Sequence, residues 1–142
     1  MPHPITASGS LEELLAKWHT IGFAGRLRMS PVREEADDAV AEIALDDTDH
    51  NPGGAVHGGV AFGLIDTLMG YVVNKSTEGK AMVGTVSQTI DFLAVPKGTL
   101  IGRARIDRMG GRTAFVSGEA HDTEGNLVAR SSAVWAIRRS DK

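Results

Sequence analysis

The residues best suited to chemistry lie where a polar loop meets the most apolar segment of the chain. The triplet His57-Gly58-Gly59 comes directly before an apolar run that begins at Val60. The first amides of a helix have no acceptor within it, and the helix dipole adds partial positive charge there. Because glycines leave those amides open to a ligand, this segment can polarise a carbonyl or hold an oxyanion. A tight turn from loop to helix explains the two glycines equally well, and the residues alone leave both explanations open.

A carboxylate interrupts the apolar run. Asp66 is predicted to lie on a helix, where a buried carboxylate is costly unless it is paired or functional. Small residues share its face at helical spacing, namely Gly59, Gly63 and Gly70, with Asn74 continuing the stripe. Burial would raise the pKa of Asp66 and nearby amides would lower it, so the sequence leaves the direction open. We favour a functional carboxylate over one that only satisfies a neighbouring strand.

Two polar residues of the loop could assist. Asn51 can orient a water or a substrate, and His57 can organise the loop through hydrogen bonds, although both also occur in ordinary turns. The remaining four histidines form no ligand pattern and the chain has no cysteine, so we expect no metal site. The sequence has no G-x-S-x-G elbow, no P-loop lysine and no G-x-G-x-x-G motif. Serine hydrolases of that type, P-loop proteins and dinucleotide-binding folds therefore have no support.

Length and composition describe one ordinary domain. The 142 residues are 42% hydrophobic and 23% charged, the balance of a globular protein. Aromatic residues make up only 5%, so the core must be mostly aliphatic and alanine-built. The net charge of −3 argues against a nucleic-acid partner, which normally meets a basic face. The sequence shows no membrane-spanning stretch and no signal peptide, so we predict a cytoplasmic protein with no membrane partner.

The elements that position these residues follow from hydrophobic periodicity. Ser10 and the apolar residues after it predict a capped helix that ends near Gly22, within an N-terminal helical extension over residues 1–25. Asp38–Leu45 then predicts a strand, and the loop after it leads into a buried helix over Val60–Val73. A helix this apolar must be covered on nearly every side, by a sheet and by a second copy of the chain.

The second half of the chain alternates with period two. Four strands are predicted, over Met82–Leu93, Thr99–Arg108, Gly111–His121 and Asn126–Arg138. In the first of them, alternation puts Val86, Ile90 and Phe92 on one face and Thr85 on the other. Short hairpin-like links at Pro96–Gly98 and Met109–Gly111 predict an antiparallel meander. Together the elements make one α+β domain over residues 1–142.

At this point the sequence resembles a known family. The stretch N-P-G-G-A-V-H-G-G-V-A-F-G-L-I-D-T-L-M-G, Asn51–Gly70, is similar to the signature of hotdog-fold acyl-CoA thioesterases of the phenylacetate-pathway (PaaI-like) group. In that family an Asn precedes the H-G-G turn by six positions and an Asp follows the His by nine, as Asn51, His57 and Asp66 do here. The resemblance continues in three later segments, Ile90–Leu93, Met109–Ala114 and Asp122–Trp135.

The resemblance implies a fold, an assembly and a reaction. The fold is the hotdog, a long helix wrapped by an antiparallel sheet, which forms dimers and dimers of dimers with active sites at the dimer interface. The reaction is hydrolysis of an aromatic or short- to medium-chain acyl-CoA to the acid and CoA, without a cofactor. Asp66 corresponds to the nucleophile or general base and the Gly58 amide to the donor that polarises the carbonyl. Asn51 and His57 match residues that shape the site, and Thr85 matches one that assists the water or the carboxylate.

One departure concerns the binding of coenzyme A. Many relatives read F-L-R-P where this chain reads F-L-A-V-P, over Phe92–Pro96, so an arginine is missing. Arg112 and Arg103 remain the candidates for the coenzyme A phosphates, together with Arg105, and Gly59 is a further predicted substrate contact.

Two other functions on the same fold stay open. A hydratase or dehydratase would pair a catalytic His with an acid placed for chemistry on the acyl carbons, whereas here the carboxylate lies deep in the helix after H-G-G. A non-catalytic acyl-CoA sensor would bind without turnover, and the presence of Asp66 together with Asn51 argues against it. We predict a thioester hydrolase, with analogy at the level of the fold as the main support.

Overall fold

Six antiparallel strands curve around one long helix in the computed structural model, which describes residues 10–139. The helices are α1 (Leu11–Ala16), α2 (Phe23–Arg26) and α3 (Gly58–Ser76). The strands are β1 (Arg33–Glu35), β2 (Asp38–Ala44), β3 (Ala81–Phe92), β4 (Thr99–Met109), β5 (Thr113–Asp122) and β6 (Leu127–Arg139). The strand order is β1-β2-β4-β5-β6-β3. This α+β arrangement is the predicted hotdog fold.

The long helix α3 forms the centre of the core, as predicted. Twelve of its 19 residues are buried, which explains why the sheet has to wrap around it. The sheet comes close to α3 at two glycines, where a Cβ at Gly102 would lie 2.8 Å from Leu64 and one at Gly118 would lie 2.5 Å from Ile65. A larger residue at either position would push the helix away. Within residues 10–139 the helices include none that is long and apolar enough to cross a membrane.

A bulge in β3 changes the faces on which Thr85 and Val86 lie. Thr85 pairs with Trp135, but the register then shifts so that Val86 is an extra residue without a cross-strand partner. Regular alternation had placed Val86 on one face with Ile90 and Thr85 on the other face, and this prediction is wrong. The extra residue turns Thr85 toward α3 and leaves Val86 65% exposed.

The connection from β3 to β4 is not a hairpin. In the described sheet β3 pairs with β6, whereas β4 lies between β2 and β5. The predicted hairpin-like link at Pro96–Gly98 is therefore wrong, and only β4, β5 and β6 form a meander. The link crosses the end of the sheet beside the turn between β5 and β6, where the Lys97 amide donates to Asp122 at 3.3 Å. Period-two alternation identifies strands but carries no information about which strands pair.

The N-terminal segment is less regular than predicted. The Ser10 side chain caps α1 by accepting a hydrogen bond from the Glu13 amide at 3.1 Å, as the sequence indicated. However, α1 has only six residues, and a 3₁₀ turn and the short α2 follow it in place of one helix that runs to Gly22. Residues 1–9 of the predicted extension lie outside the described residues.

Candidate active site

The start of α3 is capped by its own histidine. The His57 Nδ1 atom accepts a hydrogen bond from the Gly59 amide at 2.7 Å, and the His57 carbonyl accepts one from the Val60 amide at 3.0 Å. These bonds satisfy two donors of the first turn. The Gly58 amide has no acceptor among the residues that the structure describes. It is therefore available to a ligand at the positive end of the helix dipole.

The two glycines of this turn serve different purposes. A Cβ at Gly59 would lie 2.9 Å from the His57 ring, so glycine is needed there for the cap to form. A Cβ at Gly58 would lie 2.9 Å from the Phe92 ring, which packs over the helix start. Because the Gly59 amide is already bonded to His57, only Gly58 offers a free donor. Gly59 as a substrate contact remains a prediction.

Asn51 builds the loop in front of the helix. Its side-chain oxygen accepts hydrogen bonds from the amides of Gly53 at 2.9 Å and Ala55 at 3.2 Å. This is the turn chemistry expected of an asparagine that precedes a Pro-Gly-Gly sequence. The side-chain nitrogen has no acceptor within residues 10–139, so it can still orient a water or a substrate.

An ion pair between an exposed arginine and a buried aspartate, which the sequence did not reveal, anchors this loop. The Arg28 guanidinium binds the carboxylate of Asp49 at 2.5 Å and that of Asp46 at 3.2 Å. The Asp49 carbonyl in turn accepts the His57 amide at 2.7 Å. Asp49 is buried, and this burial is the signal that distinguishes it from the other aspartates of the loop. The position of the helix cap therefore depends on a residue 29 positions earlier in the chain.

A cavity of about 570 Å³ opens at the helix start. Asn51, His57 and Gly58 line one side of it, and the segment Phe92–Pro96 lines the other. Phe92, Leu93 and Val95 are all at least half exposed. The segment that departs from the family pattern thus forms an apolar wall in this protein, with no cation on it. We call this the Gly58 cavity.

Asp66 lies near the middle of α3 and is half-buried. The Thr85 hydroxyl donates a hydrogen bond to its Oδ1 atom at 2.7 Å, which the bulge in β3 makes possible. Burial raises the pKa of Asp66, and the bond from Thr85 opposes that rise without cancelling it. A carboxylate with a raised pKa is a stronger base near neutral pH. The sequence left open whether the pKa of Asp66 is raised or lowered, and in the folded chain it is raised.

A second cavity, of about 310 Å³, adjoins Asp66. We call it the Asp66 cavity. Its lining comes from the N-terminal segment, from α3 and from the sheet, and it includes Trp18, Phe23, Gly70, Asn74, Val83 and Trp135. Sequence reasoning gave neither tryptophan a role in the site. Their rarity, two in 142 residues, was the one available signal.

The predicted site residues thus fall into two groups within one chain. Asn51, His57 and Gly58 surround one cavity, and Asp66 with its partner Thr85 borders the other. Gly58 and Asp66 are eight residues apart on α3, which is about 12 Å along the helix axis. A single protomer therefore does not bring the Gly58 amide and the Asp66 carboxylate to one substrate atom.

The predicted coenzyme A contacts lie outside both groups. Arg103 is held in ion pairs with Glu35 at 2.8 Å and Asp38 at 3.1 Å, near the β1 edge of the sheet. Arg112 is exposed in the turn between β4 and β5. Neither residue lines the Gly58 cavity or the Asp66 cavity. Their role with coenzyme A stays a prediction.

Comparison with known proteins gives consistent matches. A family model described as the thioesterase superfamily matches residues 53–129. A candidate esterase of Pseudomonas aeruginosa is 32% identical over 128 residues, which cover 82% of this chain and 95% of that protein. A candidate thioesterase from Ralstonia eutropha, related to phenylacetic acid degradation, superposes with a TM-score of 0.79 at 27% identity, covering 91% of this chain and 100% of that one. The Escherichia coli PaaI protein of the phenylacetic acid degradation operon shares the fold, with a TM-score of 0.76 at 22% identity and 91% coverage of both chains.

Proposed function

The chain belongs to the thioesterase superfamily, and we propose that it is an acyl-CoA thioesterase that converts an aromatic or short- to medium-chain acyl-CoA to the free acid and CoA. The observation that carries this proposal is the Asp66 carboxylate, which is half-buried, bonded to Thr85 and open to an apolar cavity. Desolvation that raises the pKa of a carboxylate beside a cavity is typical of a catalytic base. The reaction needs an activated attacking oxygen, and this carboxylate supplies it.

The carboxylate can act in two ways, both of which require its ionised form. As a general base, Asp66 takes a proton from the water that attacks the thioester carbonyl. As a nucleophile, it attacks the carbonyl itself, and water then cleaves the resulting anhydride. In both cases the C–S bond breaks and CoA leaves as a thiolate that takes up a proton. The Thr85 hydroxyl holds one carboxylate oxygen and leaves the other free to react.

The thioester carbonyl needs a donor, and the Gly58 amide is suited to that role. It is free, it lies at the positive end of the helix dipole and it borders the Gly58 cavity, where Asn51 and His57 complete the polar lining. Since this amide is about 12 Å along the axis from Asp66 of the same helix, we assign the donor to a second copy of the chain. The active site then lies at a dimer interface.

The edge strand β3 supports pairing of two copies. It is 12 residues long and forms one edge of the described sheet, and long uncovered edge strands tend to pair with another chain. Its side chains Met82, Val86 and Phe92 are exposed. We further propose that such dimers associate into tetramers. We also propose that coenzyme A is contacted by Arg112, Arg103 and Gly59.

Thiol release from a panel of acyl-CoAs tests the function. Wild type is compared with Asp66→Asn, in which the amide oxygen can still accept the Thr85 hydroxyl but cannot take a proton. We expect kcat to fall at least about a hundredfold, the scale for loss of an acid–base group. Asp107→Asn, which removes an exposed carboxylate on β4, is the matched control and should keep wild-type turnover.

Three outcomes would contradict the proposal. Wild type that binds acyl-CoA tightly but releases no thiol would be a sensor. Loss of the conjugated absorbance of an enoyl-CoA without thiol release would indicate a hydratase. Full turnover by Asp66→Asn would show that another group activates the water.

A further inference from the structure

The loop in front of α3, residues 46–57, is tied to the rest of the domain by an arginine. We call this segment the cap loop. Within residues 10–139, its hydrogen bonds and ion pairs stay inside the loop or reach the first turn of α3, except for its contacts with Arg28. Val56 packs against the core, but apolar packing is non-directional and does not fix how a loop is oriented. The orientation of the cap loop therefore depends on Arg28.

Arg28 contacts three groups at once. One guanidinium nitrogen, Nη1, donates to the Ala44 carbonyl at the end of β2, at 3.2 Å, and lies 3.2 Å from the Asp46 carboxylate. The other, Nη2, donates to the Asp49 carboxylate at 2.5 Å. A guanidinium can do this because its donors point in fixed directions from one plane. Arg28 thus holds the cap loop against the end of a core strand.

A continuous chain of contacts leads from Arg28 to the free amide of Gly58. The carboxylate of Asp49 binds Arg28, and the carbonyl of Asp49 accepts the His57 amide at 2.7 Å. His57 directly precedes Gly58, and the peptide unit between them is planar. Because a displacement of His57 moves this peptide unit, it also changes where the Gly58 N–H points. Arg28 therefore acts on the donor through Asp49 and His57.

The backbone of Arg28 is in a conformation that glycine adopts more easily. Its φ of 58° lies in the left-handed region, where a side chain is disfavoured. Its pairing with Asp46 gives little stability in return, since the two side chains are 39% and 53% exposed. A strained residue persists where the surrounding contacts fix it, and such residues are frequent at functional sites. Positioning of the cap loop explains an arginine here better than stability does.

We infer that Arg28 is a positioning residue that fixes the direction of the Gly58 amide. Its consequence for turnover rests on the proposed thioesterase function, in which this amide meets the charge that develops on the carbonyl oxygen. Arg28 itself lines neither the Gly58 cavity nor the Asp66 cavity. A misdirected donor weakens binding of the transition state more than binding of the substrate, so the defect should appear in kcat and not in KM.

The kinetic test removes the guanidinium without straining the backbone. Arg28→Gly suits a φ of 58° and should fold. We expect kcat for thiol release to fall about ten- to a hundredfold, the scale for a small misplacement of a catalytic group, with KM within about twofold of wild type. Arg28→Lys keeps the charge but not the planar fork, so its kcat should lie between the two.

A second arginine provides the matched control. Arg33 in β1 is 46% exposed and pairs with two carboxylates, those of Glu35 and Glu42, as Arg28 pairs with two. Arg33→Ala should keep the kcat and KM of wild type, because none of its ion pairs reaches the cap loop.

A readout that needs no activity follows the His57 amide directly. Its hydrogen exchange with solvent is measured by NMR in ¹⁵N-labelled protein. The exchange should become at least about tenfold faster in Arg28→Gly, because the bond to the Asp49 carbonyl loses its support. The exchange rate in Arg33→Ala should equal that of wild type.

The outcomes separate this inference from the function on which it rests. If wild type hydrolyses acyl-CoAs and Arg28→Gly keeps kcat within about twofold, the inference is wrong, even if Tm is lower, and the thioesterase proposal stands. A fall in kcat without faster exchange at His57 would also contradict it. If wild type releases no thiol, the proposed function fails, and the exchange rates alone decide whether Arg28 positions the helix start.

A variant on the other side of the contact guards against misfolding of Arg28→Gly. Asp49→Asn keeps the shape of the side chain and removes the charge that binds Arg28. It should show the same fall in kcat and the same faster exchange at His57. In the double variant the two losses should not multiply, since both changes break one contact. Losses that multiply would mean that Arg28 does not act through Asp49.

Discussion

The two halves of the candidate site lie on one helix but are built in different ways. At the helix start, the side-chain hydrogen bonds of Asn51 and His57 join residues no more than four positions apart. Asp66, by contrast, takes its partner Thr85 from 19 positions away, and two tryptophans from opposite ends of the chain enclose its cavity. The first half is a local motif, whereas the second exists only in the folded chain.

The difference matches what each half must do. A donor amide has to be open to the ligand, and the Gly58 cavity is exposed and lined by a polar loop. A base has to be partly withdrawn from water, and burial raises the pKa of Asp66. The length of α3 keeps the two halves apart within one protomer. The comparison thus supports the proposal that assembly of two copies completes the site.

The largest expected effect tests the donor half. Gly58→Pro deletes the amide hydrogen while proline suits the first position of a helix, and His57 has the extended backbone that a following proline requires, with φ −66° and ψ 133°. We expect kcat to fall by about 10²–10³, the usual loss for one oxyanion donor. Steady-state thiol release measures it.

Gly58→Ala is the matched control for this change. It brings the same Cβ toward the Phe92 ring but keeps the amide hydrogen, so its kcat should be at least about tenfold higher than that of Gly58→Pro. Equal losses in both variants would mean that crowding against Phe92, and not a missing donor, explains the defect.

The next effect tests the carboxylate half. Thr85→Val removes the hydrogen bond that lowers the pKa of Asp66 and leaves the burial that raises it. The pKa should rise further, and since Asp66 must be ionised, the acidic limb of the kcat profile should move to higher pH. At a pH on that limb we expect a loss of about tenfold, within the range for assistance to a proton transfer.

A hydroxyl elsewhere on the same strand provides the control. Thr89→Val removes an exposed side chain of β3 and should leave the pH profile unchanged. If the acidic limb of the kcat profile of Thr85→Val does not move, the Thr85 hydrogen bond does not alter the pKa of Asp66.

The smallest effect is on stability. The pKa of Asp66 in the folded state lies above its ordinary value of 3.8, so the charged form disfavours folding. Asp66→Asn should therefore raise Tm at neutral pH by a few degrees, at the cost of activity. Differential scanning calorimetry at a series of pH values should show the higher Tm of Asp66→Asn in full at pH values above the pKa that Asp66 has in the folded protein. The difference in Tm should disappear as the pH falls to about 3.8. An Asp66→Asn variant less stable than wild type at neutral pH would contradict the burial argument.

The contrast between the halves also explains what could be predicted from the sequence. The helix start, its free amide and the extent of α3 follow from residues that are neighbours in the chain. The bulge at Val86, which turns Thr85 toward Asp66, does not, because an alternating pattern carries no mark of one extra residue. Only the resemblance to a family linked Thr85 with the carboxylate, and the role of Thr85 in a reaction stays a prediction.

Contacts between residues far apart in the chain were the other feature that could not be predicted from the sequence. Strands β3 to β6 were predicted in place, but not the separation of β3 from β4, because pairing is decided when the sheet closes around α3. The ion pair of Arg28 with Asp49 was hidden for the same reason, since nothing local distinguishes one loop aspartate from the next. Burial selects between them, and burial is a property of the fold.

The central claim, that one protomer supplies the Gly58 amide and another supplies Asp66, is tested most directly by mixing two inactive variants. Asp66→Asn and Gly58→Pro are unfolded together and refolded as a mixture, with each variant refolded alone as the control. In a mixed dimer, one of the two interface sites keeps an intact amide and an intact carboxylate. Random pairing makes about half of the dimers mixed, so we predict recovery of about a quarter of wild-type thiol release. If the mixture is no more active than the two variants alone although mixed dimers form, both groups act within one protomer, and the account is contradicted.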